Sequence, residues 1–410
     1  MQRVDVGDAV VMPGGVDTHV HVNEPGRTDW EGFVTATRAA AAGGITTIVD
    51  MPLNSLPVTT SVEALDAKRR AAEGKCMIDV GAWGGVVPGN QDALEPLWKG
   101  GVLGFKCFLV PSGIPEFKHV TESDLRPAMA VLAKLGAVLL VHAEVPGPID
   151  QATPRARAGD PRSYAPYLAS RPPEAELEAI DMMIRLATET GCRFHIVHLA
   201  TARALERLRA ARATGARVTV ETCPHYLTFA AEEIPDGGTV FKCAPPVRDR
   251  ENRDALWGGL GSGVIDFVAS DHSPCPPALK ERDSGDFFTA WGGITSLEVE
   301  LAATWTGARV RNHTIEDLAR WHAEAPARMA GLKRKGRIAA GCDADLVIFD
   351  PDESFFIDEA HLHQRHHYSA FAGTRLYGKV RQTYLRGVCV FDHGSFPAEP
   401  GGRWLMREAA

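Results

Sequence analysis

Eight short runs rich in β-branched residues punctuate the first two thirds of the chain, and the stretches between them carry apolar residues at helical spacing. The runs are Gly15 to His21 (GVDTHVH), Ile45 to Pro52 (ITTIVDMP), Met77 to Val86 (MIDVGAWGGV), Gly104 to Val110 (GFKCFLV), Val138 to Glu144 (VLLVHAE), Phe194 to Ala200 (FHIVHLA), Arg217 to His225 (RVTVETCPH) and Asp266 to Ser273 (DFVASDHS). Near-continuous apolar runs suit strands covered on both faces, as in parallel sheets. Intervening segments such as DWEGFVTATRAAAAGG and PEAELEAIDMMIRLATETGC carry glycine near their ends, as crossover helices do. Eight such units predict an α/β fold, a closed (β/α)8 TIM barrel.

Beyond the eighth run the pattern changes. Helical stretches near 293–308 and 314–331 precede two strand-like runs, ADLVIFD (344–350) and VRQTYLRGVCVFD (380–392). The predicted organisation is a residual N-terminal strand segment (1–12), a barrel (13–335) and a C-terminal β subdomain with a tail (336–410). The tract HLHQRHHY at 361–368 reads as a polar surface loop, because it lies far from the other candidate ligands in the pattern. A net charge of −8 over 410 residues offers no basic footprint for nucleic acid. No apolar run is long enough to span a bilayer, and the opening MQRVDVGDAVVMPGG lacks the layout of a signal peptide. A cytoplasmic protein with a small-molecule substrate, and with neither nucleic acid nor membrane as partner, is therefore expected. The eight cysteines include no CxxC pair, so free thiols fit better than disulfides or a structural zinc site.

In such a barrel the reactive groups sit at the carboxyl ends of the strands. His19 and His21 close the first run, and a period of two puts both imidazoles on one side. His142 ends the fifth run, His198 the sixth and Asp271 the eighth. A lone histidine is more often a satisfied core residue than a ligand. Several at matching strand ends favour a divalent metal at the barrel mouth, since burying them unpartnered would cost about 1 to 3 kcal/mol each. His195 precedes His198 by three residues, so alternation should send them to opposite faces and only His198 into the barrel. His225, in TCPHY, and His272, beside Asp271, are expected as neighbours of the ligands or of the substrate.

Lys106 interrupts the apolar run GFKCFLV, although lysine is almost never fully buried without a partner. An ammonium has donors and no acceptor, so it cannot ligate a metal. Burial and nearby positive charge lower a lysine pKa and expose a neutral amine. Addition of carbon dioxide to that amine would give a carbamate, an anion with two oxygen donors that could bridge two metal ions. The plainer alternative is a lysine that snorkels to solvent.

A set of ordered motifs then adds a resemblance. They are PGGVDTHVHVNEPGR with WEGF (13–33), GGITTIVDMPLNSLP (43–57), GFKCFLV, VHAE, YLASRP (167–172), HIVHLA, ETCPHYL, KCAPPVRDRENRDALW (242–257), SDHSPC (270–275), AWGGI (290–294) and KGRIAAGCDADLVIFD (335–350). Together they resemble the cyclic amidohydrolase branch of the amidohydrolase superfamily and, within it, the allantoinases. The resemblance implies a binuclear metal centre with His19, His21 and Asp271 on one ion and His142 and His198 on the other. Carboxylated Lys106 (N6-carboxylysine) and a hydroxide bridge them. Zinc is the implied metal, while nitrogen and oxygen donors of this kind also accept cobalt, iron, nickel or manganese. The implied activity is hydrolysis of a C–N bond in a cyclic amide, opening the hydantoin ring of allantoin to allantoate in purine catabolism. Asp271 would carry the proton from the attacking hydroxide to the departing ring nitrogen.

Implied substrate contacts are Arg27, Asn54, the backbone around Cys243 and Ala244, and Trp291 with Gly292. Pro245 and Pro246 could equally shape a loop, and Gly292 and Gly293 permit a turn. A homo-oligomer, as a homotetramer, is the implied assembly. Hydantoinases and dihydropyrimidinases are the nearest rival class, while dihydroorotases resemble HxHxR at the first strand, where this chain has Asn23. A catalytically silent scaffold relative would have lost metal ligands, and all six positions are filled here. Relatives carry a longer segment before the first barrel strand, so a reduced β-sandwich is expected, with C-terminal strands that lack partners and present an open edge.

Overall fold

The computed structural model describes residues 4–407. Its strands, in chain order, are β1 (Val10–Pro13), β2 (Gly15–Val20), β3 (Ile45–Asp50), β4 (Asp79–Ala82), β5 (Gly84–Gly85), β6 (Phe105–Phe108), β7 (Val138–His142), β8 (Arg193–Ile196), β9 (Val218–Thr222), β10 (Phe267–Val268), β11 (Leu346–Phe356), β12 (Arg375–Leu385) and β13 (Val388–Asp392). Strands β2 to β10 build the barrel wall from two parallel groups, β2-β3-β4 and β5 to β10. Consecutive pieces β4 and β5 join the groups, because Trp83 N donates to Asp50 O on one side and Gly84 N to Gly104 O on the other. A parallel bridge between Val20 and His272 closes the ring, with His21 N donating to His272 O at 2.9 Å. The eighth run supplies only two ladder residues. Beyond them the backbone leaves the strand, and Asp271 takes φ 47°.

Crossover helices cover the outside. Helix Phe33–Ala42 begins where the Glu24 carboxylate accepts from Phe33 N at 2.9 Å, and helix Pro173–Thr190 stops at Gly191, whose φ of 72° is the left-handed cap that glycine tolerates. The stretch expected to be helical over 293–308 turns helical only at Glu300, as Glu300–Arg309. Gly293 explains the delay: a Cβ there would meet the Ser273 carbonyl at 2.4 Å, so this segment is pressed flat against the strand-eight loop. The stretch 314–331 is broken into Ile315–Ala319, a π-helical turn at Arg320–Glu324, and Ala325–Ala330.

A second, antiparallel sheet runs β1-β11-β12-β13. The expectation of unpartnered C-terminal strands is corrected here, since β11 and β12 pair along most of their length and Val10–Pro13 pairs with Leu346–Phe349. The sheet leans on the barrel, where Thr383 Oγ1 donates to Ala41 O at 2.7 Å. The tract 361–368 is likewise no loose surface loop. His363 N and Nδ1 meet Glu298, Arg365 N donates to Glu31 Oε1 at 3.1 Å, His366 Nε2 reaches Asp29 O, and buried Tyr368 donates to Cys275 O at 2.8 Å. It straps the second sheet's connection onto the barrel loops. Among the described residues no helix is long and apolar enough to cross a membrane.

Candidate metal centre

The parallel register dictates which side chains meet inside. Lys106, Leu140, His195 and Thr219 are paired in one row across β6 to β9, and the next row includes Phe108 and His142. Above these rows stand His19 and His21 from β2 and its end, with His198 and Asp271 from loops. His19 Nε2 lies 3.1 Å from Asp271 Oδ1, and His21 Nε2 lies 3.6 Å from the same oxygen. The His198 ring centroid is 5.3 Å from that of His19 and 4.6 Å from that of His142. Donor atoms of His19, His198 and Asp271 all fall within 4.8 Å of one another. All six candidate ligands are buried and close on one end of the barrel.

Lys106 does not snorkel. It is fully buried, its Nζ has no hydrogen-bond partner among the described residues, and it sits 4.8 Å over the Phe108 ring. Burial pushes its amine down to about 8, against the pull of Glu221. Burial also lowers His21 and His142, and with the charges of His142 and Lys106 it drives His198 well below its ordinary value. These imidazoles are therefore neutral nitrogen donors. His19 behaves differently: burial opposes its charge, yet Asp271 and Glu221 push it up to about 9. Burial favours a neutral Asp271, but His19 and its neighbours outweigh that and hold the carboxyl well below its usual range.

Behind the ligands stand acids that sequence reasoning missed. Glu221 Oε1 pairs with His19 Nδ1 at 2.5 Å, and its Oε2 with His195 Nε2 at 2.9 Å. Glu144 Oε2 accepts from His142 Nε2 at 2.8 Å, and Arg171 clamps Glu144 through Nε at 3.1 Å and Nη2 at 2.5 Å. A signal existed, because Glu144 follows His142 at the strand period of two and Glu221 follows Thr219 likewise. The expectation that only one of His195 and His198 enters the barrel is corrected. His195 keeps the alternation and points inward, while β8 ends at Ile196 and a φ of 40° at His198 turns that ring inward too. His225 is buried near Asp271, and His272 pairs with Glu31 Oε2 at 3.1 Å.

Positive φ recurs around the centre, at Asn23, Asn54, His198 and Asp271. Non-glycine residues adopt this region at a cost of order 1 to 3 kcal/mol, and such strain concentrates where a site demands a particular side-chain direction. Asn54, Cys243, Ala244, Trp291 and Gly292 join His19, His21, His142, His198 and Asp271 around an open cleft of about 420 Å³. The Cys243 carbonyl is already engaged by Tyr167 Oη at 2.6 Å. Arg27 lies off the cleft: its guanidinium donates to Asn54 O at 2.8 Å and Glu116 Oε1 at 3.1 Å, so it braces the Asn54 loop. Two buried lysines brace the segment 288–293. Lys280 Nζ donates to Trp291 O and Gly293 O, and Lys242 Nζ to Phe288 O and Ala290 O. Cys107 and Cys275 are buried, and burial pushes the Cys107 thiol up to about 12, so it is no nucleophile.

These donors fit a pair of divalent cations. Neutral imidazoles at His21, His142 and His198 converge with an anionic carboxylate, and the buried Lys106 amine in their midst has no hydrogen-bond partner among the described residues. Conversion of Lys106 to a carbamate would turn that misfit into two oxygen donors. The chain belongs to the amidohydrolase family, whose model matches residues 10–390. It is 52% identical over 404 residues to an allantoinase of Streptomyces avermitilis, covering 98% of this chain and 89% of that one. Against an allantoinase of Arabidopsis thaliana the identity is 46%, covering 97% and 81%. Among solved structures, the L-hydantoinase (dihydropyrimidinase) of Arthrobacter aurescens superposes with a TM-score of 0.95 at 32% identity, covering 98% of this chain and 90% of that chain. The dihydropyrimidinase of Brevibacillus agri follows with a TM-score of 0.90, 31% identity and cover of 98% and 90%.

Proposed function

We propose that this chain hydrolyses allantoin to allantoate, acting on a C–N bond of the hydantoin ring. The observation that carries the substrate is the near full-length similarity to the Streptomyces allantoinase, at 52% identity. The hydantoinase alternative draws support from the TM-score of 0.95, but at 32% identity it is the weaker sequence match.

His19, His21 and Asp271 would hold one divalent ion, His142 and His198 the other, and Lys106, as a carbamate, would serve both; zinc is our choice among the metals. Bound there, such ions supply Lewis acidity and acidify a water at neutral pH. The chain's own residues do the rest. Glu221 at His19 Nδ1 and Glu144 at His142 Nε2 fix each ring's tautomer and leave its other nitrogen as the donor. Asp271, anionic and buried, takes a proton from the attacking water and returns it to the departing ring nitrogen. Asn54, Ala244, Trp291 and Gly292 line the ring, and Lys280 and Lys242 keep the wall at 290–293 in place. Arg27 serves the substrate indirectly, through Asn54.

We further propose a cytoplasmic homo-oligomer, a homotetramer, and a division into 1–12, 13–335 and 336–410. The pairing of β1 with β11 supports grouping the first segment with the last. The test is an assay of purified protein on allantoin, hydantoin, dihydrouracil and dihydroorotate, with metal analysis of the same sample. Two metal equivalents and turnover of allantoin are expected; turnover confined to the other substrates overturns the proposal.

A further inference from the structure

Asp271 belongs to two donor groups. Besides the one it shares with His19 and His198, a ligand atom from each of Cys223, His225 and Asp271 lies within 4.8 Å of the others, and all three residues are buried. Local structure brings them together. Cys223 follows the last residue of β9 and precedes the short helix Pro224–Thr228, so Pro224 at the first helical position sets the turn that holds Cys223 and His225 in one place. Asp271 arrives from the loop that follows the neighbouring strand, because β9 pairs with β10.

His225 is the second observation. It is fully buried, and neither of its ring nitrogens has a hydrogen-bond partner among the described residues. A buried polar atom left without a partner loses its hydration for nothing unless something binds there. Contact with the Tyr226 ring at 4.3 Å holds the imidazole in place without meeting either nitrogen. The donor chemistry also differs from that next door. Thiolate, imidazole and carboxylate form a softer set than the histidine and carboxylate ligands of the main centre, and soft sets select thiophilic ions.

We propose that Cys223, His225 and Asp271 form a third cation site, selective for thiophilic divalent ions such as zinc and cadmium, whose filling removes Asp271 from the reaction. On binding, the Cys223 thiol releases its proton to solvent and a sulfur–metal bond forms; no redox partner is needed. The inhibitory consequence rests on the role given to Asp271 above, whereas the binding does not.

The test uses the full chain loaded with its two metal equivalents and then dialysed against excess cobalt or cadmium. A third equivalent should be retained, and cobalt should show the charge-transfer absorption that thiolate ligation gives and imidazole or carboxylate ligation does not. Excess zinc should lower allantoin turnover by about 10³-fold at saturation, as expected when a positioned acid–base group is withdrawn. Cys223→Ser and His225→Asn should each lose the third equivalent and show the same turnover with and without excess zinc, and Cys223→Ser should lose the absorption. Absence of a third equivalent, or a cobalt–thiolate band that persists in Cys223→Ser, overturns the site. A third equivalent with unchanged turnover overturns the inhibitory half and counts against Asp271 as the proton carrier, leaving the site itself standing.

Discussion

Two largely buried clusters that contain acids, one at each end of the barrel wall, settle their charge in opposite ways. Where β4 begins, Asp79, Asp343 and Asp345 crowd within ligand distance of one another. Lys335 stands among them, its Nζ 2.6 Å from Asp79 Oδ2, 2.6 Å from Asp345 Oδ2 and 3.1 Å from Asp343 Oδ2, and Arg386 Nη1 adds a contact of 2.6 Å to Asp79 Oδ1. The account is closed inside the chain, and the cluster clamps the barrel to the second sheet. At the carboxyl ends the opposite holds: Lys106, His198 and His225 retain buried nitrogen atoms with no partner among the described residues. Both clusters offer enough donors for a metal. What separates them is whether the protein supplies its own counter-charge, and only the mouth leaves that to a ligand.

Removing Lys106 should break the comparison most sharply. Lys106→Ala is expected to lose bound metal by elemental analysis, and allantoin turnover should fall by about 10⁴-fold, the equivalent of several kcal/mol of lost metal assistance. Asp271→Asn should retain more metal yet lose about 10³-fold in kcat; near-normal kcat with metal present would remove Asp271 from the proton path. At the closed cluster the effect should fall on stability instead. Lys335→Met should cost about 3–5 kcal/mol in denaturant unfolding, because it strands buried carboxylates, while kcat/KM per folded molecule stays unchanged. A milder change at the mouth, Glu144→Gln, should weaken metal affinity by about 10–100-fold in competition with a chelator.

The smallest effect is a pH dependence. In the metal-free protein His19 sits at about 9 and Lys106 at about 8, so both must shed protons before the centre can form. Metal uptake should therefore strengthen from about pH 7 to about pH 9, as read by metal retention across a buffer series. Stability of the metal-free chain carries two opposed contributions. That of His19, complete below about 6.5, is lost as pH rises through about 9, whereas Lys106, buried at a cost when charged, favours folding increasingly from about 8 to 10.5. Lys335 is raised by Asp79 and Asp345 despite burial, so its contribution is complete below 10.5 and flat over the same window.

The barrel was legible because its signals are local: β-branched runs, alanine-rich crossovers and glycine stops. The candidate ligands stood out for the same reason, each lying at or just past the end of such a run. What escaped was set by tertiary contact. His195 looked excluded because alternation was counted through Val197, but the strand stops at Ile196 and the turn at His198 resets the direction. Nothing local in HLHQRHHY reveals that Tyr368 is buried against Cys275. The helix expected from 293 fails up to 299 because Gly293 must lie against Ser273, a neighbour twenty residues away in the chain. Glu144 and Glu221 were visible at strand period, yet their roles depend on Arg171 and His195, which only packing brings alongside.

The strap at 361–368 ties the order of heat inactivation to the attachment of the second sheet. Arg365 holds Glu31, Glu31 holds His272, and His272 is the residue after Asp271. Regions of a protein open with different free energies, and a peripheral sheet is a natural early unit. If the sheet lifts first, the support under His272 goes with it while the barrel helices remain intact. Catalysis should then fail some degrees before the helical circular dichroism signal does, and a chain with Arg365→Ala should widen that gap without moving the final melt.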